Sequence, residues 1–121
     1  MLKFFNDVEK GQASLYSSFI TFNKSLIKYF ENIYMARVAI DNSENKIYVF
    51  LYDKDQVFES GIPKSEFIKV AVSKTYARIC SKSLMEYISE ELKLNIPDGS
   101  YLRYNASYNI SHKAIIIEIG V

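Results

Sequence analysis

Over residues 14–22, SLYSSFITF, aromatic and β-branched residues alternate partly with serine, a pattern that predicts a strand. From Phe22 the period lengthens. Apolar residues at 22, 26, 27, 29 and 30 form the stripe of a short amphipathic helix, with Asn23 or Ser25 placed to cap its start and Glu31-Asn32 ending it. Two strand-like runs, YMARVAID at 34–41 and KIYVFLYD at 46–53, flank the turn formers NSEN and predict a hairpin. Residues 53–66, DKDQVFESGIPKSE, hold charge, Gly61 and Pro63, and read as a linker. After it the order recurs. FIKVAV and TYARIC predict strands. SKSLMEYISEEL predicts a helix, with Leu84, Ile88 and Leu92 on one stripe and Ser83 with Glu86 as a capping box. LNIPDGS forces a turn, and YLRYNASY and KAIIIEIGV then flank NISH. The last run is almost continuously apolar, as expected of a strand buried on both faces.

The recurrence extends to the residues themselves. FNKSLIKYF at 22–30 and CSKSLMEYI at 80–88, compared at a constant separation of 58 positions, share Lys24/Lys82, Ser25/Ser83, Leu26/Leu84 and Tyr29/Tyr87. The expected fold is therefore α+β and β-rich, a barrel-like pseudo-dimer in one domain spanning 1–121. Its two strand-helix-hairpin repeats, at about 14–53 and 67–120, are joined by the linker 53–66 and packed about a pseudo-twofold axis.

Composition narrows the function classes. At 49% hydrophobic and 24% charged the chain falls among folded proteins, and ten Tyr and eight Phe favour pleated surfaces. A net charge of +1 gives no general field to draw in nucleic acid, so any such binding must come from local clustering. One cysteine excludes an intrachain disulfide and points to a reducing compartment. MLKFFNDVEKG lacks the apolar core of a signal peptide, and no run nears the ~18 apolar residues of a membrane span. A cytoplasmic protein with no membrane partner is expected.

Residues 20–53 resemble the swapped-hairpin module of the AbrB-like and MazE-like transcription factors. Ile20, Thr21, Phe22 and Lys24 stand where those proteins carry their I-T-I-P-K opening, followed by a short helix and a strand pair with an acidic turn. Asn23 stands in place of the usual Pro, and the Gly after the helix is missing. The whole chain is also similar to a class of small bacterial proteins without assigned activity, often carried on mobile elements, that share an ITFNK opening and a YRY strand, here YLRYN. The AbrB-like resemblance implies a β-rich barrel of two interleaved modules with basic side chains on one face against DNA.

Lys24 and Lys82 each fall at the start of a predicted helix, where a cation opposes the macrodipole by ~0.3–1 kcal/mol. Free N–H groups and a lysine there would together hold a phosphate. The alternative is an exposed, inconsequential lysine inherited through duplication. Lys28 follows one turn after Lys24. Lys74 and Arg78 share a strand face with Tyr76, a combination that grips a backbone and stacks a base, or else marks only the wet side of a sheet. Arg37 and Arg103 are secondary candidates. Cys80 and His112 do not read as a catalytic pair, because Cys80 aligns with the apolar Phe22 and a buried cysteine is inert. No metal, cofactor or nucleotide-loop pattern is legible, and no enzyme is expected. The leading expectation is a nucleic-acid-binding regulator or accessory protein, with DNA the possible partner. The alternatives are a protein-binding module, such as an inhibitor or antitoxin-like partner, and a structural homo-oligomer built on an open edge strand such as IIIEI.

Overall fold

The computed structural model describes residues 1–2 and 10–120. Most of the N-terminal segment read above for a signal peptide, and Val121 of the last predicted strand, lie outside the described residues. The described residues form eight strands: β1 (Gln12–Leu15), β2 (Phe19–Phe22), β3 (Ile33–Asp41), β4 (Lys46–Asp53), β5 (Ile68–Val72), β6 (Ala77–Cys80), β7 (Leu102–Asn109) and β8 (Ala114–Glu118). They close into an antiparallel barrel in the order β1-β2-β6-β5-β3-β4-β8-β7. Two α-helices, α1 (Lys54–Glu59) and α2 (Lys82–Leu92), and 3-10 helices over Lys24–Phe30 and Lys64–Glu66 complete it.

An eight-stranded barrel is just wide enough for side chains to fill it, and alternation along each strand supplies them. Ala13 and Leu15, Ile20 and Phe22, Ala77 and Ile79, Ile47 and Val49, and Ile115 and Ile117 are all fully buried. The 24–30 helix adds Leu26 and Phe30 to this core, and α2 adds Met85, Ile88 and Leu92. Burying each large side chain contributes about 1.5–3 kcal/mol, so the two helices are held by their apolar stripes rather than by intrinsic propensity.

Several expectations are corrected. SLYSSFITF is two strands, because Tyr16 N donates to Phe19 O at 2.8 Å and folds the run back at Tyr16–Ser18. The 53–66 linker is structured: Asp53 caps α1 by accepting from Gln56 N, while Gln56 Oε1 accepts from Asp53 N, both at 2.8 Å. The cap of α2 is Ser81, whose Oγ accepts from Leu84 N at 3.2 Å, so Ser83 and Glu86 form no capping box. Asn23 caps nothing with its side chain. Its Oδ1 accepts from Gln12 N at 3.0 Å and its Nδ2 donates to Lys10 O at 2.7 Å, tying the helix start to β1. In β8, Ile116 is only half-buried and Glu118 is exposed, so that strand is not buried on both faces. Pairing with β4 on one side and β7 on the other removes the open edge once assigned to IIIEI. Among the described residues no helix is long and apolar enough to cross a membrane.

Candidate nucleic-acid interface

The pairing registers decide which side chains share the outside of the barrel, because directly paired residues point to the same face. Arg103 of β7 pairs with Ser14 of β1, Ser14 with Thr21 of β2, Thr21 with Arg78 of β6, and Arg78 with Ala71 of β5. All five face away from the core, and two are arginines. Tyr16 and Phe19, across the β1–β2 turn, and Tyr101, two residues before Arg103, lie on the same face.

These side chains form a continuous row. The Arg78 guanidinium lies over the Phe19 ring at 5.5 Å. Phe19 stacks on Tyr16 with ring centroids 4.3 Å apart and planes 16° from parallel. Tyr16 meets Tyr101 at 5.1 Å, and Tyr101 carries the Arg103 guanidinium at 5.0 Å. Arg103 Nε donates to Ser14 Oγ at 3.1 Å, which fixes the guanidinium above the strand. Arg78 forms no ion pair with a described residue, and its Nε is buried without an acceptor. A weakly hydrated guanidinium stacked on a ring keeps its charge and its outer N–H donors free for an anion.

Acidic residues are unevenly placed around the barrel. Residues 12–22, 68–80 and 100–105 contain Lys69, Lys74, Arg78 and Arg103 and no Asp or Glu, whereas β3, β4 and β8 mix Asp41, Asp53 and Glu118 with Arg37 and Lys46. The strands and turns that bear the aromatic row therefore hold cations alone among their charged residues, and Glu86 and Glu90 of α2 come in beside Ser17 at their edge.

The sequence-predicted site is divided by this arrangement. Arg78 and Arg103 come onto one face. Lys74 and Tyr76 lie in the turn before β6, where Ser73 N donates to Tyr76 O at 2.8 Å, rather than on a strand face with Arg78; Tyr76 is 41% exposed at this rim. Lys24 and Lys82 follow β2 and β6, which are antiparallel, so they emerge at opposite ends of that pair. Both are exposed. The 24–30 helix is a 3-10 helix of two turns, and Leu84 N at the start of α2 is already bonded to Ser81, so the paired phosphate cradle is not assembled. Lys28 lies over the Tyr29 ring at 5.2 Å, away from the row. Arg37 is on the opposite side of the barrel, bonded to Glu66 Oε1 at 2.8 Å. Hydrogen bonding to Tyr52, and then to Glu66, holds its pKa above the ordinary arginine value. Cys80, expected to be buried, is exposed. It pairs with Phe19 on the outer face, whereas Phe22 pairs with Ala77 in the core, so matching Cys80 to Phe22 by letters put it on the wrong face.

Tyr16, Phe19, Ser14 and Tyr101 were not singled out from sequence. The i, i+2 spacing of Tyr101 and Arg103 on a predicted strand was the one local signal; the remainder depends on which strands become neighbours. Among the described residues no cluster of His, Cys, Asp and Glu is arranged to hold a metal. Comparison with protein-family models, curated proteins and solved structures finds no match.

Proposed function

We propose that this protein binds nucleic acid without catalysing a reaction, as a regulator or accessory factor, through the outer face of β7, β1, β2 and β6. The observation that carries the proposal is the row Arg78, Phe19, Tyr16, Tyr101, Arg103 on four strands, β7, β1, β2 and β6, that carry no Asp or Glu. Guanidinium groups supply bidentate phosphate contacts, and the rings supply stacking surface. With a net charge of +1 the attraction is local, so affinity is modest and sensitive to salt.

An AbrB-like origin, in which two repeats close one barrel as a pseudo-dimer, belongs to the same proposal. Its support is the strand pairing. Exchanging β1–β4 with β5–β8 leaves every neighbour relation in the barrel unchanged. The Leu15↔Ile20 pair corresponds to Val70↔Ile79, and Ser14↔Arg103 corresponds to Lys69↔Met35. Ile20↔Ile79 corresponds to itself, which puts the axis through the β2–β6 pair. The arginine-capped row has no counterpart under this exchange, since Arg103 corresponds to Met35 and Arg78 to Phe19. The mobile-element setting rests on the sequence resemblance alone.

The test is fluorescence anisotropy with labelled DNA and RNA, single- and double-stranded, across a salt series. The expected result is saturable binding with log K falling linearly in log salt, at a slope for about two to four phosphates, and a marked loss in Arg78→Glu/Arg103→Glu. Absence of binding at low salt removes the proposal.

One observation favours a protein partner instead. Phe58 on α1 is 71% exposed and stands with Tyr34, Met35, Val57, Ile62 and Phe67 around an apolar cleft of about 340 Å³. Exposed aromatic residues beside an apolar cleft are the usual anchors of protein contacts. That reading gains if Phe58→Ser abolishes capture of a defined partner while the arginine variants do not.

A further inference from the structure

We infer that the outer face takes single-stranded nucleic acid, with unpaired bases stacking on its rings, in preference to a duplex. The inference rests on the nucleic-acid binding proposed above and names the form of that ligand.

Two observations carry it. The first is the shape of the surface. Its strands lie flat in the barrel wall, joined by the short turns Tyr16–Ser18 and Ser73–Tyr76, and β6 stays paired to both β2 and β5 as far as Ala77. Among the described residues the β1–β2 and β5–β6 turns are too short to enter a groove, yet the bases of a duplex are reached only through grooves. The second is the chemistry of the row. Tyr101, the last ring before Arg103, is 40% exposed, offering a ring to a base that has left its own stack. The successive separations of 5.5, 4.3, 5.1 and 5.0 Å hold the two guanidinium groups within about 20 Å of each other. Phosphates at both ends with bases between them suit a flexible single strand.

The test compares labelled oligothymidylate, oligouridylate and a duplex of matched length at one salt concentration, with wild type, Tyr101→Leu and Tyr101→Phe. Single strands are expected to bind at least about 10-fold tighter than the duplex. Tyr101→Leu should lose about 5- to 100-fold of single-strand affinity, the range for one stacked base, and Tyr101→Phe should retain it. An abasic strand on wild-type protein reads the same stacking without any substitution and should lose a similar factor. Equal or tighter binding of the duplex, still dependent on Arg78, overturns the inference and leaves nucleic-acid binding standing. Undiminished affinity for the abasic strand overturns stacking. Failure of every probe to bind at low salt overturns both this inference and the proposed function.

Discussion

Arg37, Arg78 and Arg103 show how setting rather than charge separates a structural arginine from a candidate ligand-binding one. Arg37 is satisfied by Glu66, with both side chains more than a third exposed, so the pair is screened and contributes under about 1 kcal/mol. Arg37→Ala is therefore expected to shift the urea midpoint little and to leave nucleic-acid affinity unchanged. Arg78→Ala removes a guanidinium that no described carboxylate holds, and should weaken binding with little change in midpoint. Arg78→Lys should restore it only in part, because an ammonium neither stacks as a plane nor bonds bidentately. Equal affinity losses in the Arg37 and Arg78 variants would contradict this assignment.

At the scale of elements, much was legible because the signals were local. Strand β4 occupies the residues its alternation predicts, and the hairpin turns fall at NSEN and after Tyr108. What failed was punctuation that local chemistry leaves ambiguous. Ser81 and Ser83 both precede the apolar stripe of α2, and only the backbone decides that Ser81, with φ −166° and ψ 109°, is the cap. Ser81→Ala should cost about 1 kcal/mol in urea denaturation and Ser83→Ala only a few tenths. The reverse order would return the cap to Ser83. The β3–β4 turn supplies a pH signature. Asp41 Oδ1 accepts from Ser43 Oγ at 2.6 Å, Ser43 N at 3.0 Å and Glu44 N at 3.2 Å, and the Ser43 hydroxyl leads in holding its pKa below the ordinary value. Its stabilising contribution is present above the ordinary carboxylate pKa and is lost as pH falls through the lowered folded value. Asp41→Asn should flatten that part of the acid limb in pH-dependent thermal melts.

At the scale of the whole molecule, the barrel brings together residues that no window of sequence connects. Ser14 and Arg103 are 89 positions apart and share a hydrogen bond. The β-rich class was legible in period and composition, whereas closure through β1 and β7 left no local trace, and so neither did the row of rings. The shared phrase at 22–30 and 80–88 was visible, but matching Cys80 to Phe22 by letters paired an exposed residue with a core one. Core residues at the β2–β6 pair hold the platform: Ile20 and Ile79 face each other there with no exposure. Ile79→Ala should cost about 2–5 kcal/mol, and should weaken binding only as far as it unfolds the chain.

The central claim, that one face of the barrel meets nucleic acid, is tested most directly by amide chemical-shift mapping during titration with a single-stranded oligonucleotide. The account predicts saturable shifts concentrated in β1, β2, β6 and the first half of β7, around Ser14, Phe19, Arg78 and Arg103. Shifts confined to β3, β4 and α1, or no shifts at low salt, would contradict it.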